Sequence, residues 1–228
     1  MQALPWYFDV ISPYAYLQLE WLLRDRPELP LEPRPVVLGA LLSHFGQLGP
    51  AEIAHKREFT YRYVIWRSRE LGIPLCFPPR HPFNSLAAMR LIIAAGGSAP
   101  VVQRVFRHVW VEGRRAETAE DLVALGKDLG IGDVASAVST PEVKQALKQS
   151  TDVAIAAGVY GVPTLIVNDE PFFGQDATAF ALTLLEHPGL LAEPEFAGLA
   201  DIPIGISRRS GAPLFKLNNI SDGFVREG

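Results

Sequence analysis

Strand-forming residues in this chain are confined to two regions, and the order of elements there limits the fold. Trp6 to Ile11 is aromatic and β-branched, as is typical of a short buried strand. Ser12 and Pro13 then favour a helix start, because serine caps helices well and proline suits the first helical position. The helix is predicted over 14–24, and a second strand over 31–38. A β-α-β start usually places its two strands parallel in one sheet.

The middle of the chain is predicted to be almost entirely helical. Apolar residues recur there at helical spacing, and glycines separate the segments. The predicted helices span residues 52–71, 85–95, 101–111, 118–129 and 141–157. Strand character returns later, with a strand over 164–167, a turn over 168–170 and a hairpin partner over 171–173, before a last helix over 175–186.

This order predicts an α/β protein with a thioredoxin-like fold and a large α-helical insertion. Residues 1–40 and 159–190 are expected to form the thioredoxin-like domain. Residues 41–158 are expected to form the helical insertion domain. Hydrophobic periodicity is weak from residue 187 onward, so residues 191–228 are predicted to be a C-terminal extension.

Composition excludes several classes of protein. With 48% hydrophobic and 20% charged residues, the chain is not intrinsically disordered. Its net charge of −4 provides no general attraction to nucleic acid or to an anionic membrane, so neither is expected as a partner. The longest apolar stretches fall far short of the ~20 residues that a membrane span needs. The N-terminus lacks the features of a signal peptide, so a cytoplasmic location is expected.

The cysteine and histidine content argues against redox-pair and metal chemistry. The only cysteine, Cys76, excludes an internal disulfide framework, a CxxC redox pair and a cysteine-built zinc site. Apolar residues flank it, so a buried, inert thiol is expected. The five histidines are widely spaced, and no metal site is predicted.

The tetrapeptide Ser12-Pro-Tyr-Ala15, between the first predicted strand and helix, is the strongest candidate for a reactive site. Thioredoxin-like oxidoreductases place C-P-x-C at this corner, where a helix N-terminus stabilises a thiolate. Ser12 and Ala15 stand at both cysteine positions, which excludes dithiol–disulfide exchange. The corner can still stabilise the sulfur anion of a bound thiol, with the Ser12 hydroxyl as a donor. The alternative is that Ser12 is only a helix N-cap.

Two later segments complete a candidate thiol site. Gly161-Val-Pro-Thr164 precedes the returning strand, where thioredoxin folds place a cis-proline whose neighbouring backbone faces an extended thiol peptide. The other segment is Phe173-Gly-Gln-Asp176, at the entry of the last predicted helix. There Asp176 and the helix N-terminal amides suit a ligand with both an ammonium and a carboxylate group. The alternative for Asp176 is a first-turn carboxylate that complements the helix dipole.

These residues resemble the 2-hydroxychromene-2-carboxylate isomerase family, which is close to the kappa-class glutathione transferases in the DsbA-like thioredoxin superfamily. The resembling segments are YFDVISPY (7–14), GQLGP (46–50), GIPL (72–75), VYGVPT (159–164) and FGQD (173–176). Together they are specific for the family, and they span about four fifths of the chain.

The resemblance implies glutathione as the cofactor and Ser12 as the catalytic serine that holds its thiolate. It also implies that Val162 and Pro163 bind the cysteinyl unit. The implied glutathione-binding stretch consists of Phe173, Gly174, Gln175 and Asp176. The implied reaction is reversible thiolate addition to 2-hydroxychromene-2-carboxylate or a related aromatic-pathway compound, which isomerises while glutathione is regenerated.

The half of the site that would bind the substrate departs from the family. The family usually carries a lysine before Gly46, but His44 is the only candidate cation in residues 41–45. Gln47 replaces a usual asparagine, and His81 stands where a tyrosine or another polar contact is common. His44, Gln47 and His81 are therefore the predicted contacts to a small aromatic carboxylate or another electrophile.

Two other functions remain open at this point. One is a kappa-like glutathione transferase that conjugates electrophiles irreversibly. The other is a non-catalytic, DsbA-like peptide binder. Relatives of this kind are often dimers, so the resemblance also leaves a homodimer open.

Overall fold

A computed structural model describes residues 3–208 and 224–226 of the chain. Its main sheet contains β1 (Leu4–Phe8), β2 (Leu31–Pro35), β3 (Thr164–Val167) and β4 (Glu170–Phe173) in the order β2-β1-β3-β4. β1 is parallel to β2 and antiparallel to β3, and β3 is antiparallel to β4. The predicted thioredoxin-like α/β fold is confirmed.

Helices account for most of the chain between and after these strands. They are α1 (Pro13–Asp25), α2 (Leu38–His44), α3 (Ala54–Leu71), α4 (Leu86–Ala94), α5 (Ala99–Trp110), α6 (Val123–Asp128), α7 (Val134–Ala137), α8 (Pro141–Ala156) and α9 (Thr178–Glu186). Helices α2 to α8 lie between β2 and β3 in sequence. Among the residues described, no helix is both long and apolar enough to cross a membrane.

Both faces of the sheet are buried. Alternate residues of β1 point to opposite faces, and each set packs into the core. On one face, the rings of Trp6 and Phe8 stack at 4.7 Å and both contact Phe106 of α5. On the other face, Tyr7 joins a buried cluster formed by Val36, Leu41, Ala154, Val159 and Val162. Helices therefore cover the sheet from both sides, and the loops at one end of the strands remain to form a site.

Several predicted boundaries are wrong. The second strand stops at Pro35, and α2 follows directly, with the Leu38 N–H donating to the Asp9 carboxylate at 2.9 Å. Prolines in β2 are tolerated because this is an edge strand. The helix predicted over 118–129 is a short 3₁₀ turn, Glu120–Leu122, followed by α6.

Cys76 is exposed, so the expectation of a buried thiol is also wrong. The neighbouring Phe77 packs its ring against Trp110 at a centroid distance of 5.5 Å. With Phe77 directed inward, Cys76 is left at the surface.

Residues 1–186 and residues 187–228 form two separate compact units. The described part of the second unit has 3₁₀ turns at Leu190–Ala192 and Leu199–Asp201, and an antiparallel pair, β5 (Ile206–Arg208) and β6 (Phe224–Arg226). The remainder of the predicted 191–228 extension, residues 209–223 and 227–228, lies outside the described residues. The predicted division of the first unit into a thioredoxin-like domain and a helical insertion stays a prediction.

Candidate functional site

Ser12 lies at the start of α1, where the chain leaves β1. Its backbone is extended, and its Oγ accepts a hydrogen bond from the Ala15 N–H at 3.2 Å, as an N-cap does. The hydroxyl donates to the Val162 carbonyl at 3.5 Å, although the two residues are 150 positions apart. The fold thus brings together the two segments that the sequence singled out.

The surroundings of Ser12 favour a negative charge. Helix α1 has 13 residues and no acidic side chain in its first turn. The Tyr14 N–H makes no hydrogen bond with any residue that the structure describes, so it remains available at the positive end of the helix dipole. The 3.5 Å bond to Val162 is long for an O–H donor. The hydroxyl can therefore turn towards a stronger acceptor.

The Val162–Pro163 peptide is cis. Val162 packs its side chain into the core, and its N–H has no hydrogen-bond partner in the described part of the chain. The Pro163 carbonyl accepts from the Gly174 N–H at 2.8 Å. This bond sets the start of the 173–176 stretch directly beside the proline.

The predicted glutathione-binding stretch runs from the end of β4 into a turn, in which Phe173 and Asp176 are exposed and Gln175 is buried. Phe173 is 44% exposed, and its ring lies 5.1 Å from that of Tyr160. Gly174 has φ +100°, and a Cβ there would lie 2.4 Å from the Asp176 carboxylate. Only glycine suits this position, because L residues rarely adopt such a φ and the carboxylate occupies the space.

Asp176 lies in the turn before α9, not inside the helix as predicted. The Thr178 hydroxyl and N–H both bond to the Gln175 carbonyl, at 2.6 and 3.4 Å, and this contact closes the turn. Asp176 is exposed, whereas Gln175 is buried. The carboxylate thus faces solvent beside the first amides of α9.

Sequence reasoning missed two polar residues that hold this stretch. Gln18 of α1 is fully buried, accepts from the Trp6 indole at 2.6 Å and donates to the Thr178 hydroxyl at 2.8 Å. Arg67 of α3 donates to the Gln175 side chain at 3.0 Å. The one sequence signal for Gln18 was an amide among the apolar residues of α1. Arg67 had no signal beyond being a cation on a helix.

Tyr14 is a further residue beside the site. Its pKa is raised to about 12, first by burial and then by electrostatic interaction with the nearby Tyr63 and Asp176 side chains. The phenol therefore keeps its proton at neutral pH. Its place in the first turn of α1 sets it next to both Ser12 and the 173–176 stretch.

His81 lies next to the site but is held by protein groups. Its Nε2 lies 2.9 Å from the Ile11 carbonyl, to which it donates, and its Nδ1 lies 2.8 Å from the Tyr61 hydroxyl. Burial lowers the pKa of His81 below its ordinary value of 6.5. This geometry favours an imidazole that positions the residue before Ser12 over one that contacts a substrate.

His44 and Gln47 lie in and after the last turn of α2, and both are exposed. The His44 ring meets Phe45 edge-on at 4.8 Å, and Phe45 lies 6.5 Å from Tyr160. Tyr160 in turn contacts Phe173, so a row of rings connects His44 to the stretch predicted to bind glutathione. Gln47 uses its backbone N–H to bond the Leu42 carbonyl at 2.8 Å.

Comparison with known proteins shows which family has this architecture. A family model described as a DsbA-like thioredoxin domain matches residues 3–186. This chain belongs to the DsbA-like thioredoxin family. A relative of this DsbA-like protein, the 2-hydroxychromene-2-carboxylate isomerase of Pseudomonas putida, is 31% identical over 178 residues, which are 75% of this chain and 87% of the relative.

Two further similar proteins match this chain over a larger share of both sequences than the Pseudomonas putida isomerase does. Glutathione S-transferase kappa 2 of Caenorhabditis elegans is 25% identical over 209 residues, covering 82% of the DsbA-like chain and 93% of the transferase. A solved structure of a 2-hydroxychromene-2-carboxylate isomerase superimposes with a TM-score of 0.69 at 26% identity, covering 89% of this chain and all of that one. The resemblance stated from the sequence is confirmed.

Proposed function

We propose that this chain binds glutathione with its sulfur at Ser12 and uses it to isomerise 2-hydroxychromene-2-carboxylate or a related aromatic-pathway compound. The main support is the meeting of the Ser12 hydroxyl with the Val162 backbone at the N-terminus of α1. Relatives named as this isomerase and as kappa-class glutathione transferases add to that support.

The residues present fit a thiol tripeptide. The Ser12 hydroxyl and the Tyr14 N–H are donors for a sulfur anion. The Val162 N–H and carbonyl flank the same point and would pair with the backbone of the cysteinyl unit. Asp176, exposed beside the α9 amides, would take the ammonium of the γ-glutamyl group. When bound, glutathione supplies a thiolate that can add to an unsaturated carbon and leave again.

The role of Ser12 is to favour the ionised sulfur. A thiol titrates near 8.5, and lowering its pKa by about two units requires about 2.7 kcal/mol. A charge-assisted hydrogen bond and a helix N-terminus together provide stabilisation of this order. Because Ala15 stands at the second cysteine position of the oxidoreductases, no protein thiol at this corner competes for the bound sulfur.

A kappa-like transferase is the second candidate. The same Ser12 and Val162 groups would serve it, and the kappa relative of Caenorhabditis elegans covers more of the chain than the isomerase of Pseudomonas putida does. The two functions differ only in whether glutathione remains on the product. The mass of the product therefore distinguishes them.

The test is a chromene ring-opening assay by ultraviolet absorbance, with and without glutathione. We expect a glutathione-dependent rate in the wild type and its loss in Ser12→Ala. Thr140→Ala is the matched control, because Thr140 caps α8 in the same way, accepting from the Val143 N–H at 3.3 Å, but has no part in the proposed site.

The control should keep the wild-type rate. A product of unchanged mass supports the isomerase, and a retained glutathionyl group supports the transferase. Equal rates with and without glutathione in all three proteins would refute the isomerase. Peptide binding without any affinity for glutathione would favour the DsbA-like binder instead.

A further inference from the structure

Helix α3 exposes aromatic rings that it does not use for packing. Its buried residues are Thr60, Val64 and Ser68, which form one narrow stripe. On another side of the helix, Phe59 is 65% exposed and Trp66 is 50% exposed. Large exposed apolar side chains grouped in this way often mark a binding surface.

These rings form a continuous surface with Tyr14. Tyr63 lies 6.3 Å from Tyr14, 6.0 Å from Phe59 in a stacked arrangement, and 5.4 Å from Trp66, as centroid distances. We call Tyr14, Phe59, Tyr63 and Trp66 the aromatic platform. All three spacings fall in the range in which aromatic rings attract one another.

The aromatic platform is continuous with the candidate site at two points. Tyr14 lies two residues after Ser12, in the first turn of α1. Phe59, Tyr63 and Arg67 follow at intervals of four and share one face of α3. Arg67 bonds to Gln175, so this face ends at the stretch predicted to bind glutathione.

We propose that the Tyr14–Tyr63–Phe59 part of the aromatic platform binds the planar aromatic ring of the electrophile that reacts with the sulfur at Ser12. This inference rests on the proposed function and adds to it the surface that selects the substrate. A flat ring laid on this surface gains aromatic contacts and covers exposed apolar area. An aliphatic electrophile gains much less.

The site favours a ligand over a second copy of the chain as the occupant. The platform starts in the turn that carries Ser12, so a partner seated on it would cover the approach to the serine. In the other row of rings, formed by Phe45, Tyr160 and Phe173, one ring already packs on the protein. A Cβ on Gly161 would lie 2.5 Å from the Phe173 ring, which shows that this ring rests on the backbone.

The test compares two glutathione conjugates by calorimetry, which requires no turnover. S-methylglutathione probes the glutathione contacts, and S-benzylglutathione adds one aromatic ring. We expect the wild type to bind the benzyl conjugate about tenfold more tightly than the methyl conjugate. Tyr63→Ala and Phe59→Ala should each lose most of this preference and leave the affinity for S-methylglutathione unchanged.

Ile65→Ala is the matched control, because Ile65 is an exposed apolar residue on the opposite flank of α3. It should keep the preference for the benzyl conjugate. If the preference survives in Tyr63→Ala and Phe59→Ala but is lost in Tyr160→Ala, the ring lies on the other row and the inference is wrong.

Two further outcomes separate this inference from the function on which it rests. If the wild type binds S-methylglutathione but shows no preference for the benzyl group, the aromatic platform is not a substrate surface and the proposed function stands. If neither conjugate binds and glutathione itself also does not bind, the proposed function fails, and this inference fails with it. Light scattering provides the last check. A lower mass for Phe59→Ala or Tyr63→Ala with an unchanged preference would assign the platform to a second copy of the chain.

Discussion

The Arg67 guanidinium donates a 3.0 Å hydrogen bond from Nε to the side-chain oxygen of Gln175. This bond joins α3, in the middle of the chain, to the buried residue at the centre of the 173–176 stretch. Helix α3 thus holds, through one side chain, the turn where glutathione is proposed to bind.

Replacing Arg67 should weaken glutathione binding. In Arg67→Met the Gln175 side chain loses its charged donor, and the dissociation constant measured by calorimetry should rise about fivefold, which corresponds to about 1 kcal/mol. Arg62→Met is the control, because Arg62 pairs with Glu58 on the exposed face of the same helix. An equal loss of affinity in both variants would contradict a specific role for Arg67.

Adding a methyl group at position 161 should displace Phe173. The new Cβ would lie 2.5 Å from the ring, and the ring can move outward because it is partly exposed. Gly161→Ala should therefore lose only about 1 kcal/mol of folding stability but bind glutathione several-fold more weakly. Gly39→Ala, in α2, where a Cβ meets nothing within 4 Å, should leave glutathione binding unchanged and should not lower stability, since alanine is the better helix former. Unaltered glutathione affinity in Gly161→Ala would show that Phe173 does not contact the cofactor.

Replacing Gln18 should lower the folding stability of the chain. Gln18→Leu leaves the Trp6 indole and the Gly174 carbonyl without the partner that the glutamine provides. Each unsatisfied buried group costs about 1–3 kcal/mol, so urea unfolding should show a loss of about 3 kcal/mol. Gln145→Leu, on the exposed side of α8, should be nearly neutral. A Gln18 variant as stable as the control would mean that its three hydrogen bonds are replaced by others.

The stability of the chain should depend on pH through His81. Its pKa is lowered from 6.5, first by burial and then also by the charge of Arg57, while the bond to Ile11 opposes these effects. Above 6.5 both folded and unfolded chains hold the neutral imidazole, and this contribution to stability is complete. Below 6.5 the unfolded chain takes up a proton first, so stability falls as the pH drops towards the lowered pKa.

His81→Gln provides an amide that can donate to the Ile11 carbonyl and does not titrate. Urea unfolding at about pH 7.5 and about pH 5.5 should show a smaller loss of stability in this variant than in the wild type. Some loss should remain, because burial also lowers the pKa of His108. The exposed His55, replaced in the same way, should leave the pH dependence unchanged. If His81→Gln keeps the full dependence, the buried imidazole is not its source.

The parts of the fold that local chemistry determines could be predicted from the sequence. Ser12 before Pro13 and Thr140 before Pro141 are local signals for a helix start, and both caps are present. The turn between β3 and β4 followed from Asn168 and Asp169, which adopt positive φ there.

Other features depend on partners far along the chain, and no local pattern reveals them. Helix α2 begins where the Asp9 carboxylate receives its Leu38 N–H, and nothing near Leu38 shows that contact. The spacing of Phe59, Tyr63 and Arg67 is that of any helix face, and only the packing of α3 against Tyr14 and Gln175 shows what that face borders. Gln18 is similar, since its three partners lie on β1, on the 173–176 stretch and on α9.

The contact between Ser12 and Val162 closes a loop of 150 residues. A small molecule bound on both sides of that contact links the segment after β1 to the segment before β3, so it must dissociate before this unit can unfold. At a hundred times its dissociation constant, such a molecule adds about 2.7 kcal/mol against unfolding. Heat resistance in the presence of glutathione thus becomes a means of ranking a library of aromatic compounds, and of finding the natural one without first guessing its chemistry.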